Sequence, residues 1–157
     1  FAQEREWSEA RELDWYLLTK ERHGQMQHFV RRLNQLYQQY SAFYYYDYEP
    51  YGFEWMSCDD AEKSVVAFVR RGKTKSNHLL FICNFTPVAY EAYEVGVPCR
   101  GTYKEILNSN SVEFGGTEWD GNRTYKAAGK GKDGNLYQLI LNLAPLSVVI
   151  LNYNQVD

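Results

Sequence analysis

Three short stretches of this chain are apolar at nearly every position, and they restrict its fold more than any other feature. Residues 65–69 run Val-Val-Ala-Phe-Val, residues 79–85 run Leu-Leu-Phe-Ile-Cys-Asn-Phe, and residues 146–151 run Leu-Ser-Val-Val-Ile-Leu. Each is too short for a buried helix and rich in β-branched or aromatic side chains, so each is predicted to be a strand. A strand that is apolar on both faces must be covered on both. These three are therefore placed at the centre of a sheet or at its seam with helices.

Around them lie further short runs bounded by Gly, Asn, Asp and Pro, the pattern of an antiparallel sandwich. The candidate strands are 52–57, 64–71, 78–85, 89–95, 102–107, 123–128, 135–143 and 146–153, with the less apolar runs expected nearer the edges. Lys132-Asp133-Gly134-Asn135 is predicted to be a hairpin turn, because Asp-Gly tolerates the positive φ that tight hairpins need. Before about Tyr45 the period is helical. Met26, Phe29, Val30, Leu33, Leu36, Tyr37 and Tyr40 share one face of a predicted helix over 22–40, opposite Arg31, Arg32, Gln35, Gln38 and Gln39. A shorter helix is expected from Ser8, as its cap, to about Leu18, with Glu9 and Glu12 at its positive end. No flexible linker separates the two parts, so the boundary is placed between 44 and 50 and the helices are expected to pack on the strands. Two units result: 1–45, helical, and 46–157, all-β.

The hydrophobic fraction of 45%, with 17% aromatic, is that of a chain with a packed core. A net charge of −3 supplies no basic field for a phosphate backbone, which argues against nucleic acid. Cys58, Cys83 and Cys99 are odd in number and lack C-x-x-C spacing, which disfavours a disulfide framework or a zinc site and suits a cytoplasmic protein. His23, His28 and His78 have no partners at metal-ligand spacing, so no metal or other cofactor is expected. Neither a membrane-length apolar run nor a nucleophile elbow occurs, and Gly129-Lys130-Gly131-Lys132 lacks the spacing of a phosphate loop.

A set of blocks in fixed order carries more information than any one of them. These are Phe1-Ala2-Gln3-Glu4-Arg5-Glu6-Trp7, Leu13-Asp14-Trp15, Tyr51-Gly52-Phe53-Glu54-Trp55, Ser64 to Arg71, Asn84-Phe85-Thr86-Pro87-Val88, Glu105-Ile106-Leu107-Asn108-Ser109-Asn110 and Phe114-Gly115-Gly116. Together they resemble the C-terminal stretch of the 1,4-alpha-glucan (glycogen) branching enzymes of glycoside hydrolase family 13, over essentially the whole chain. The resemblance implies a mainly β architecture: an alpha-amylase C-terminal-type sandwich preceded by two helices that end a (β/α)8 barrel. It also implies that Phe1 follows the last barrel strand, with the rest of the barrel upstream. Retaining glucan transfer needs a carboxylate nucleophile and a carboxylic acid about 5–5.5 Å apart. In that family these groups, and a third Asp, lie upstream of the first block, so no catalytic residue is expected here. The implied partners are α-glucan (glycogen, amylose) and the barrel in cis. Self-association of the isolated piece is also expected, through the apolar face of the 22–40 helix.

Glucan contact falls to Trp7, on the loop that the resemblance places at the barrel mouth, where an indole can face a glucose ring. A packing role for Trp7 is equally open. Gln3 and Arg5 share that loop, Arg5 having an ion pair with a neighbouring Glu as its alternative. Trp119, in a glycine-rich polar loop, and Trp55, alternating with Glu54 and Met56, are the candidates in the strand region. Trp15 is expected in the core beside Leu13, Leu17 and Leu18, with Asp14 capping or orienting its loop, and Asp59-Asp60 as solvated residues of a turn. Two other identities are kept as alternatives: a stand-alone carbohydrate-binding module, and, from the same resemblance, the C-terminal domain of a related family 13 debranching enzyme or amylase.

Overall fold

The computed structural model describes residues 1–5, 7–117, 123–129 and 131–154. The strands are β1 (Phe53–Asp60), β2 (Val65–Arg70), β3 (Leu79–Asn84), β4 (Tyr90–Val97), β5 (Gly101–Asn108), β6 (Thr124–Ala127), β7 (Tyr137–Leu143) and β8 (Ser147–Asn154). Each falls on one of the eight predicted runs. They form a six-stranded antiparallel sheet ordered β1-β2-β3-β8-β5-β6 and a two-stranded sheet of β4 and β7.

The three continuously apolar runs become β2, β3 and β8, adjacent in the middle of the large sheet, and alternation explains why each is apolar throughout. On β3 and β8, Leu80, Ile82, Val149 and Leu151 face the small sheet and meet Val95, Val97, Leu139 and Leu141. Leu79, Phe81, Val148 and Ile150 point the other way and meet Phe29, Leu33 and Leu36 of the helix α1 (Glu21–Gln39). β5 departs from expectation. It lies inside the sheet between β8 and β6, because Leu107 and Ile106 also belong to the helix-covered face.

Ahead of the strands stands one α-helix rather than two. In place of a helix from Ser8 there is a five-residue 3-10 helix over Trp15–Thr19, with Asp14 at its N-cap position making no side-chain capping bond. The reason is lack of burial. Short helices need tertiary packing, and only Leu17 in this segment is buried. Trp15 is not in the core: it stays half exposed and stacks on Phe1 at 5.5 Å, while Leu13 is also exposed. α1 spends its apolar stripe unevenly too. Phe29, Leu33 and Leu36 pack on the sheet, but Met26, Val30 and Tyr37 on the flank remain open to solvent.

Two turns lie at opposite ends of the β4–β7 pair. Asp133 (φ 53°) and Gly134 (φ 80°) both take the left-handed conformation, and the Asn135 N–H donates to the Lys132 carbonyl at 2.9 Å. The turn forms where expected but closes no hairpin: β6 and β7 on either side belong to different sheets, linked by the isolated Ala128–Gln138 bridge, because β7 pairs with β4 instead. At the other turn, buried Asn84 donates to the carbonyls of Val88 and Ala144, both at 2.8 Å, and accepts from the Thr86 N–H and hydroxyl at 3.0 and 2.8 Å.

Candidate functional site

β1 is an edge strand with one free side, and it is bulged twice. Trp55 pairs with Phe68, Ser57 with Ala67 and Asp60 with Val65, with register shifts between Trp55 and Ser57 and between Ser57 and Asp60. Bulges twist an edge away from further strand pairing while leaving its backbone polar groups accessible. Asp59 and Asp60 belong to the last turn-ward residues of this strand, not to a solvated turn as expected; the turn proper begins at Ala61.

The indole of Trp55 is held from beneath by other rings. It lies edge-on to Phe53 at 4.9 Å and to Phe68 at 5.8 Å, and Phe68 stacks on Phe81 at 4.8 Å, nearly parallel. Phe81 in turn meets Phe43, so the row runs from the sheet edge to the segment after α1. At 52% exposure Trp55 is the open end of that row. A ring so supported can present a face to a ligand with little loss of rotamer entropy.

Beside it lies a groove of about 410 Å³, lined by residues 55–60 of β1 on one side and by Lys132 and Asp133 of the tight turn on the other. Its polar groups are ordered. The Tyr93 hydroxyl donates to Asp60 at 2.8 Å, and Lys63 lies 3.9 Å from the same carboxylate. Lys63 and Lys132 hold their ammonium groups 5.3 and 5.0 Å from the centre of the Tyr93 ring. Burial, then the bond to Asp60, pushes the Tyr93 phenol well above its ordinary range. An aromatic wall, carboxylates and an open backbone edge suit a polyhydroxylated ligand better than a reacting one.

The remaining sequence candidates are placed elsewhere. Trp7 is fully exposed with φ 55°, and Gln3 donates locally to the Arg5 carbonyl at 2.9 Å. Among the described residues Arg5 forms no ion pair. This segment is anchored to the 3-10 helix through the Phe1–Trp15 stack and to the start of α1 through the 2.8 Å contact of His23 Nδ1 with the Phe1 carbonyl. Trp119 lies outside the described residues. A second cavity of about 530 Å³ separates the N-terminal segment from α1, Phe114 and Leu146. What sequence reasoning missed is the pairing of Trp55 with Lys132 and Asp133. No local signal reveals it, since only the packing of the small sheet against the β1 edge brings the two stretches together. Among the described residues no group of three His, Cys, Asp or Glu could hold a metal, and no helix is long and apolar enough to cross a membrane.

Comparison with known proteins adds a family and a set of relatives. Residues 55–154 match the family model of the alpha amylase C-terminal all-beta domain. The 1,4-alpha-glucan branching enzyme GlgB of Gloeobacter violaceus is 44% identical over 150 residues, and that of Bacillus caldolyticus is 40% identical over 151. The same enzyme of Francisella tularensis subsp. mediasiatica is 36% identical over 152 residues. Each comparison covers 96% of this chain but only 20%, 23% and 24% of the respective relative.

Proposed function

We propose, for a chain that belongs to the alpha-amylase C-terminal all-beta domain family, that it is the non-catalytic C-terminal part of a glycogen branching enzyme and holds α-glucan at the Trp55 groove. The parent would cut an α-1,4-glucan and reattach the piece as an α-1,6 branch. Relatives named for that activity match nearly the whole chain, which supports the assignment. The observation that carries the glucan contact is the half-exposed indole, backed by Phe53 and Phe68 and bordered by a polar groove. Residues 1–45 would be the end of the barrel, and the exposed flank of Met26, Val30 and Tyr37 supports a further layer packing there. Trp7, Gln3 and Arg5 would then approach glucan only in the presence of the barrel.

The test is titration of the chain with maltoheptaose, followed by tryptophan fluorescence or NMR. A single supported stacking contact contributes about 1 kcal/mol, which corresponds to about a fivefold change in affinity. Trp55→Ala should weaken it severalfold, and the chain should show no branching or hydrolysis of amylose by iodine staining. Unchanged titration of Trp55→Ala would remove the groove from the assignment. Branching activity surviving purification would remove the non-catalytic role.

A further inference from the structure

The charges around the Trp55 groove are unevenly free, and this bears on which glucans it admits. Three carboxylates line it: Asp59, Asp60 and Asp133. Among the described residues the cations beside it, Lys63 and Lys132, offset this charge only in part. Lys132 Nζ donates to the Glu94 carbonyl at 2.9 Å while lying over the Tyr93 ring, and Lys63 is shared between Asp60 and that ring. Asp60 accepts from Tyr93 and has Lys63 as its charge partner. Asp59 and Asp133 are left, one on each wall, both exposed. Their fields overlap between the walls: the Cys58 thiol, which donates to Asp59 Oδ1 at 3.4 Å, is held above its ordinary pKa by that bond first, then by burial and by both carboxylates.

We infer that the groove selects neutral α-glucan against glucan bearing phosphate or other anionic substituents, with Asp59 and Asp133 as the residues that set this discrimination. The inference rests on the proposed glucan contact at Trp55. Carboxylates accept hydrogen bonds from sugar hydroxyls, so a neutral chain gains from them. A phosphate monoester entering the same space meets a lining in which three carboxylates face the single ammonium of Lys132. Salt should erase the difference, because both carboxylates are exposed and screened.

The experiment titrates the 157-residue chain with maltoheptaose and with maltoheptaose carrying one phosphate monoester, at about 20 mM and about 150 mM ionic strength. The neutral glucan should bind roughly fivefold more tightly at low salt, and the ratio should shrink at high salt. The double variant Asp59→Asn, Asp133→Asn should bring the two affinities together; both sites are exposed, and Asn tolerates the positive φ at position 133. Equal affinities in the unmodified chain, or a ratio that the double variant leaves intact, overturn this inference alone. Absence of any maltoheptaose binding overturns the glucan contact and this inference together. A second readout needs no glucan: the double variant should speed the reaction of Cys58 with a neutral aromatic disulfide, by lowering the thiol pKa, and should speed the reaction with a dianionic one by a larger factor. Equal acceleration of both reagents overturns the inference.

Discussion

Replacing Asn84 by Ala should be among the most damaging single changes in this protein. The side chain is 1% exposed and makes four hydrogen bonds, two donated to the carbonyls of Val88 and Ala144 and two accepted from Thr86. At about 1 kcal/mol net for each bond, Ala should cost about 4 kcal/mol, since the buried Ala144 carbonyl loses its donor. Domains of this size are stable by about 5–15 kcal/mol, so most of the margin is at stake. In urea, with a slope of about 2 kcal/mol/M, the midpoint should fall by about 2 M with the slope unchanged. Asn84→Asp keeps the acceptor arm but sets a carboxylate against two carbonyls, and should be at least as destabilising. A midpoint shift below about 0.5 M for Asn84→Ala would refute the claim that this side chain welds the β3 turn to the β7–β8 turn. The same geometry accounts for a motif. In Asn84-Phe85-Thr86-Pro87-Val88, Asn84 and Thr86 are structural, and Phe85 and Val88 are displayed outward.

Gly96 lies where the tight turn presses on β4: a Cβ there would sit 2.2 Å from the Lys132 carbonyl oxygen, so Gly96→Ala should cost about 2 kcal/mol. Because Lys132 and Asp133 form one wall of the groove, the same variant should weaken maltoheptaose binding, and a thermal melt with a parallel titration checks both effects. Alkaline pH should unfold the protein. Burial, followed by the Glu105 charge, raises Tyr125 to about 12 from 10.0, and burial raises Tyr93, Tyr103 and Tyr153 as well. With folded-state values above the unfolded one, the unfolded chain binds fewer protons beyond pH 10.0, so this stability is complete below pH 10.0 and is lost as pH rises through about 12. Urea midpoints from pH 9 to 12 should fall over that window, and Tyr125→Phe should flatten the decline; a pH-independent midpoint would contradict it. Finally, the exposed Met26, Val30 and Tyr37 flank should make the chain self-associate, and the double variant Met26→Gln, Val30→Gln should restore a monomer in sedimentation without lowering the melting temperature.

The strand framework was legible because strands and helices have different periods, and burial on one or two faces writes itself directly into residue order. Thus β2, β3 and β8 could be placed centrally from their unbroken apolar runs, and α1 was found to within a residue of each end. The turn at Asp133-Gly134 was legible for a local reason too, since few residue pairs accept two positive φ values. The helix expected after Ser8 was not, because caps and propensity are weak terms, and in that segment only Leu17 finds a buried surface. Position 15 shows the same limit. An apolar neighbourhood in sequence says nothing about which side faces a partner, and Trp15 is left on Phe1 at the surface. The groove depended on tertiary structure altogether. Trp55 and Asp59 are separated from Lys132 and Asp133 by more than seventy positions, and they meet because the small sheet closes over the large one at the bulged β1 edge. Composition can announce an indole or a carboxylate, but whether they share a wall is decided by how two sheets pack.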